Sequence, residues 1–410
     1  KMVFDKVLNR LIDLELIKRD EIQRIDATHM IADIAIPTVV ALVKKGIREI
    51  LKPLKGQKPQ VYENIIKKID TDEYTREKVN QADEGRLDIE KRKVKLVKVV
   101  TDARNMLKGL EDVHVSRGLR KRIELLQRIL RENVNESGAK PQEREYKDKP
   151  KDILVSPIDE DARYGCKSDT KRFVGYKANI TESVENRFIT NIDVMRGNRP
   201  DGEPTVGMVV EQKKNGLVPQ KLIGDAAYAD GINRKLLNDN WTKVVAPLRK
   251  TNVSTQKVYP KSMFHFDEEM LTLTCPQGVK TDVYFEDRTH GLKQFHFPMS
   301  ICRKCRVRKE CTNAEEGRRT VGISMFNKEL REAEVYNTTE QFKIDMKLRP
   351  PIEGKLSELT RYHGLRRARY RGLIKVQLQS YFTAAVVNIK RWIKLILGGL
   401  TRQTEVVMGF

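Results

Sequence analysis

Two acids stand where a chain can aim a carboxylate into a cleft. Asp225 ends the apolar run that starts at Lys221, and Glu353 opens a helical stretch behind Arg349, Pro350 and Pro351. Carboxylates offered by separate elements can hold divalent cations. Mg²⁺ takes hard oxygen ligands, commonly one or two carboxylates completed by water or phosphate. Two such ions a few ångströms apart activate an attacking water or hydroxyl and stabilise a leaving oxygen, which is what phosphoryl transfer needs. Taken singly, each acid would pass for solvated surface in a chain with 57 Asp and Glu.

Sulfur and guanidinium form two further groups. Cys302, Cys305 and Cys311, with Cys275 upstream, supply four thiols and one pair at C-x-x-C spacing. Four thiolates suit a closed tetrahedral Zn²⁺ site, and reduced structural cysteines are the alternative. Cys166 is isolated and reads as a plain thiol. Arg303, Lys304, Arg306, Arg308 and Lys309 crowd the same segment, and Arg366, Arg367, Arg369 and Arg371 cluster near the start of the last helix. Arginine grips phosphate in a two-pronged fashion, so both clusters are candidate DNA contacts. A solvated charged face is the other reading.

The whole composition leans the same way. The chain has 410 residues, 39% hydrophobic and 33% charged, with 79 Lys and Arg against 57 acids and a net charge of +22. That is enough apolar residue for a core and too much length for a single one. A positive excess of this size speaks of partners rather than fold, and a polyanion such as nucleic acid gains affinity by releasing counterions to it. No run approaches the ~18 apolar residues of a membrane span; Ile31 to Val43 comes nearest and carries Asp33 and Pro37. Five cysteines in this length make no disulfide framework and suit a reducing cytoplasm.

The elements that must carry these residues follow from periodicity. Residues 1–21 show the three-and-four spacing of a helix, the end of a helical N-terminal region. Residues 22–30 alternate, giving a short strand that bears Asp26. From 31 to 150 the pattern is helical and charged, and 138–150 is a polar linker. From 151 to 259 strands dominate. They are expected at Ile153–Val155, Phe173–Ile180, Phe188–Val194, Lys221–Asp225 and Lys243–Pro247, with helices over Met208–Asn215 and from Asn233. Three strands followed by helix, strand, helix and strand is the layout of an RNase H-like fold, an α/β mixed sheet with flanking helices. A small Cys-rich basic insertion spans 260–320. Residues 321–410 end the chain in two helices, about 323–363 and 372–396, the first broken at Pro350 and Pro351.

Several of these stretches match known motifs. Gly224-Asp225-Ala226-Ala227-Tyr228 resembles the second-aspartate motif of the DDE transposases of bacterial insertion sequences. Ile352-Glu353-Gly354, the run His363 to Leu373 and the run Asn388 to Arg391 resemble their third-acid helix and C-terminal signature. Ser156 to Gly165, with Gly175, Tyr176 and Lys177, is similar to the segment ahead of their second strand. Arg24-Ile25-Asp26-Ala27-Thr28 resembles the motif that carries their first aspartate. The resemblance, to a subgroup with a Cys-rich insertion, implies an RNase H-like core and two Mg²⁺ or Mn²⁺ ions held by Asp26, Asp225 and Glu353. It further implies Arg349 in support, and cleavage and strand transfer at transposon ends and target DNA. Pairing two ends implies a homodimer or larger assembly, cytoplasmic and nucleoid-associated.

On that reading 31–150 is inserted between the first and second strands. Asp159 and Asp161 remain rivals for the first acid, because their distance to the next strand is the ordinary short one. Near Glu353, Met346 and Thr360 stand where related transposases carry Tyr and Lys. Two other functions fit the same residues: a transposase-derived protein that only binds DNA, and a nuclease of the same fold.

Overall fold

The structure is a computed structural model that describes residues 1–34, 36–75, 88–138, 140–167, 170–249, 258–314 and 317–407. Its centre is a six-stranded mixed sheet: β1 Gln23–Ile31, β2 Arg163–Cys166, β3 Arg172–Ser183, β4 Ile189–Arg196, β5 Lys221–Ile223 and β6 Lys243–Val245. β3 runs antiparallel to β1 over its whole length, from Gln23 opposite Ser183 to Ile31 opposite Gly175. The other edge of β3 is shared by β2, against residues 172–175, and β4, against residues 176–182, both antiparallel. On its far side β1 pairs in parallel with β5, which pairs in parallel with β6. β1 is therefore central. Gly175 lies where β1, β2 and β3 meet, at φ +151, and a Cβ there would stand 2.0 Å from the Met30 carbonyl. Only glycine fits so close a backbone approach.

Helices cover both faces, as strands buried on two sides require. On one face α1 (Met2–Asp13), α9 (Pro351–Arg361) and α10 (Leu373–Val407) share a core with β3 and β4, built from Phe4, Leu8, Ile180, Ile192, Ile352 and Val387. On the other, α5 (Thr205–Lys213) and α6 (Gly231–Asn238) bury Met208, Val209 and Leu237 against Ile25, Leu222 and Val244. α7 (Asn327–Asn337) and α8 (Glu340–Met346) lead into α9. The helical stretch expected over about 323–363 breaks at Thr338 as well as at Pro350. Thr339 caps α8 by accepting a bond from the Phe342 amide.

Between β1 and β2 the chain forms a helical unit with its own core. α2 (Val39–Gln57), α3 (Ile89–Lys108) and α4 (Arg117–Asn133) pack Val43, Ile47, Val99, Ala103, Leu126 and Ile129 together. α3 buries Leu96, Val99, Val100, Ala103, Met106 and Leu107, a single stripe at helical spacing, and turns most of its charges outward; Asp102 is the buried exception and accepts from the Tyr74 hydroxyl. Thr38 and Ser116 cap α2 and α4. The strand expected at Ile153–Val155 is not formed. Leu154 instead donates its amide to Glu132 and packs in the helical unit, while the adjoining Val155 packs under the sheet. This segment is the seam between two cores, and each residue's apolar surface is satisfied without a ladder.

Two three-stranded antiparallel sheets follow, His265–Asp267 with Thr272–Thr274 and Lys280–Thr281, and Tyr284–Asp287 with Leu292–His296 and Thr320–Ser324. Among the described residues no helix is long and apolar enough to cross a membrane.

Candidate active site and basic surfaces

Asp26 sits midway along β1, opposite Ile180 of β3. Asp225 lies two residues beyond the last residue of β5, the strand on the other side of β1. The chain is held close here: the Gly224 amide donates to Val245, and a Cβ on Gly224 would stand 2.9 Å from Ile25. Each carboxylate spends one oxygen on the backbone. Asp26 Oδ1 accepts from the Ala27 amide at 2.8 Å and Asp225 Oδ1 from the Ala227 amide at 2.7 Å. The other oxygens face a single cation. Arg349 Nη2 lies 3.3 Å from Asp26 Oδ2 and 3.9 Å from Asp225 Oδ2. One guanidinium thus spans the gap between the two acids.

Electrostatics at this cleft are tense. Burial pushes the Asp26 carboxyl up to about 6; the Ala27 amide and Arg349 oppose the shift, and Asp225 and Asp201 add to it. Asp201 is an acid that sequence reasoning missed. It lies in the turn after β4 and pairs with Lys177 at 2.7 Å. Tyr228 is buried beneath, its hydroxyl donating to Asn179, and burial with the charges of Asp26, Asp201 and Asp225 keeps it protonated.

Glu353 is in the first turn of α9, the helix that packs on β1, and its exposed carboxylate has no hydrogen-bond or ion-pair partner among the described residues. Among those residues no group of three or more His, Cys, Asp or Glu side chains is placed to hold a metal ion. The chain therefore brings Asp26 and Asp225 together around Arg349 and leaves Glu353 four residues beyond that arginine. Two carboxylates with a cation between them still fit Mg²⁺ or Mn²⁺ by donor chemistry, since such ions often take only one or two from the protein. Met346 ends α8, and the Thr360 hydroxyl bonds back to Leu356 within α9.

The rival acids have other employment. Asp159 is 1% exposed, and its Oδ1 accepts from the Tyr176 hydroxyl and from the amides of Ala162 and Gly372. Asp161 binds Arg196 at 2.7 Å and the Leu373 amide at 3.0 Å. Burial works against its ionisation, but Leu373 and Arg196 outweigh it and hold the carboxyl below its ordinary value. Both acids tie the first residues of α10 to the sheet.

Cys275, Cys302, Cys305 and Cys311 line one cavity of about 560 Å³, together with Tyr259 and Phe297. None is disulfide-bonded; Cys166 is exposed elsewhere. Burial raises the Cys311 thiol, Arg319 opposes this, and Cys302, Cys275 and Cys305 add to it. Arg303, Lys304, Arg306 and Lys309 on the adjoining turns are exposed. Arg308 is half-buried and donates to the Ala314 carbonyl.

The second basic cluster lies in the loop just before the last helix. Arg366, Arg367, Arg369 and Arg371 are all exposed there. The loop is pinned to the end of β1: the Ile31 amide donates to the Arg366 carbonyl and the Ala368 amide to the Ile31 carbonyl. Arg366 also contacts the His29 ring at 2.6 Å, and burial, Arg366 and Lys167 hold that imidazole below its ordinary pKa. None of the four has a carboxylate within ion-pair distance among the described residues.

Residues 274–393 match the family model of a transposase DDE domain. Over that stretch, less than a third of the chain, the protein is similar to transposase DDE domains. The match covers the four cysteines, Arg349, Glu353 and the basic loop; Asp26 and Asp225 precede it. Comparison with curated proteins and with solved structures returns no match.

Proposed function

We propose that the protein is a DDE transposase with an RNase H-like core, which cleaves DNA at the ends of an insertion sequence and joins them to a target. The observation that carries this reading is the convergence of Asp26 and Asp225, from neighbouring strands, on one guanidinium. The strand order, with three antiparallel strands on one side and two parallel ones on the other, supports the same core. Asp26, Asp225 and Glu353 would hold Mg²⁺ or Mn²⁺, which when bound activates a water or 3′-hydroxyl and stabilises the leaving oxygen.

The chain's own residues do the rest. Asp26 must be ionised to serve, so about half of its carboxylate is available near pH 6 and more as pH rises. Arg349 offsets one of the two negative charges and would meet a phosphate that enters between the acids. The loop of Arg366, Arg367, Arg369 and Arg371 supplies charge for the DNA backbone at the end of β1. Arg303, Lys304, Arg306, Arg308 and Lys309 would add a second contact, on a segment made rigid by Zn²⁺ on the four cysteines.

Nicking of supercoiled plasmid in Mg²⁺ or Mn²⁺, lost in Asp225→Ala, tests the activity. No nicking by the folded wild-type chain would favour a protein that only binds DNA. Nicking without transfer of labelled ends into a target plasmid would favour a nuclease.

A further inference from the structure

A buried charge cluster lies beside the cleft and no step above uses it. Glu182 on β3 is fully buried and stands opposite Arg24 of β1 in the strand register. Arg24, 2% exposed, donates its Nε to Glu182 Oε2 at 2.7 Å, and Arg187 donates its Nε to Glu182 Oε1 at 3.2 Å. Each arginine then sends a second nitrogen outward. Arg24 Nη1 reaches the Leu348 carbonyl at 2.6 Å, and Arg187 Nη2 reaches the Pro351 carbonyl at 2.9 Å. Those two carbonyls bracket Arg349, and the second lies two residues before Glu353.

We propose that Glu182, Arg24 and Arg187 are positioning residues: they clamp the turn between α8 and α9, and so set Arg349 and Glu353 against Asp26 and Asp225. The inference rests on the reading of this cleft as the active site. Stability alone accounts poorly for the cluster. Taking an arginine and a glutamate out of water is expensive, and well-packed apolar side chains of the same volume generally serve a core as well or better. What apolar side chains cannot do is donate to a carbonyl at a fixed distance.

The turn needs such a tie. Its own backbone bonds are local, from Leu348 to Asp345, Arg349 to Met346, Ile352 to Arg349 and Glu353 to Pro350. Nothing in that set connects it to the sheet. Arg24 and Asp26 project from the same face of β1, because side chains alternate along a strand. One strand therefore fixes the turn twice, by Arg24 to Leu348 and by Asp26 to Arg349. Arg187 adds an independent sign. It occupies the hairpin between β3 and β4 at φ +62, a conformation that glycine or asparagine adopts more easily. An arginine stands there in spite of its backbone preference, and its side chain makes the third tie.

The test compares wild type with Arg24→Lys and Arg187→Lys in the full chain. Lysine keeps the charge facing Glu182 but has no planar fork to reach the carboxylate and the carbonyl together. Hydrogen–deuterium exchange should quicken in peptides covering residues 347–353 and stay unchanged in α4. The nicking rate should fall by up to about a hundredfold with DNA affinity unchanged, as misplacement of reacting groups does. Combined with Arg349→Ala, the loss caused by Arg24→Lys should shrink, because the residue through which Arg24 acts is gone.

Unchanged exchange at 347–353 in both variants would overturn the proposal, and so would a loss of rate that is as large in the Arg349→Ala background. If Arg24→Lys unfolds, Arg187→Lys carries the test, since Arg187 is about one-third exposed. Quickened exchange at 347–353 in a protein that never nicks DNA would support the clamp and refute the active-site reading instead.

Discussion

Replacing Asp26 by Asn should make the metal-free protein more stable at neutral pH while ending its activity. The carboxyl moves from an ordinary 3.8 to about 6, chiefly through burial, with only 17% of the side chain exposed. Each unit is worth about 1.4 kcal/mol, so ionised Asp26 destabilises the fold by about 3 kcal/mol relative to its neutral form. The folded pKa is raised above the unfolded one. The stability linked to the protonated form is therefore complete below about pH 4 and is lost as pH rises through about 6. An amide side chain mimics the protonated state at every pH and never incurs the loss.

Thermal melts in EDTA from pH 4 to 8.5 should show the two proteins together at the acid end. The Asp26→Asn variant should melt higher by several degrees, as an order of magnitude, above about pH 6. Added Mn²⁺ should raise the wild type and leave Asp26→Asn in place, because a metal that binds only the native acid stabilises by mass action. A difference that does not vary with pH, or a variant less stable than wild type at pH 8, would refute the burial argument.

Three other outcomes follow. Asp225→Ala and Glu353→Ala should each abolish Mg²⁺- or Mn²⁺-dependent nicking and leave DNA binding in place, because phosphate affinity comes from Lys and Arg; full activity in both folded variants would remove the acids from the site. Purified protein under reducing conditions should hold one equivalent of Zn²⁺ that Cys302→Ser and Cys305→Ser release, and metal analysis without zinc would leave the four thiols as reduced structural cysteines. Arg366, Arg367, Arg369 and Arg371 changed singly to Gln should each weaken DNA binding without sequence preference and lower the slope of log affinity against log salt by roughly 0.9; an unchanged slope would place that arginine away from phosphate.

What could be read in the sequence was what periodicity and strand ends record. The alternation around Asp26, the apolar run ending at Asp225 and the stripe on α3 each leave a local pattern, and each element formed where its pattern lies. Ile153–Val155 misled because three apolar residues satisfy a seam between cores as well as a strand. The arginine run 366–371 lies just ahead of the last helix, as its spacing suggested, but the bonds from Arg366 and Ala368 to β1 leave no local pattern. Asp201 and Glu182 left no trace, since a charge bound for the interior has the same letter as one bound for water. Only the fold reveals that Glu182 faces two arginines and that Asp201 comes near Asp26.

Several unfavourable terms meet at this cleft. Asp26 is buried as a carboxylate against its own preference, and two further acids stand near enough to worsen it. The Nε of Arg349 and the amide nitrogen of Asn179, opposite Ala27 in the ladder, are buried without a hydrogen-bond acceptor. Each such orphan costs about 1–3 kcal/mol. Arg187 holds a left-handed turn nearby, and Arg24 with Glu182 pays the desolvation of a buried pair. A sheet selected for stability alone would have filled these positions with the aliphatic residues that pack its two faces elsewhere. Groups that are strained or short of a partner persist where a ligand supplies the missing interaction. A species that would satisfy the three groups at its centre carries positive charge for Asp26 and Asp225 and an acceptor oxygen for Arg349, as a divalent cation bound with a phosphodiester does.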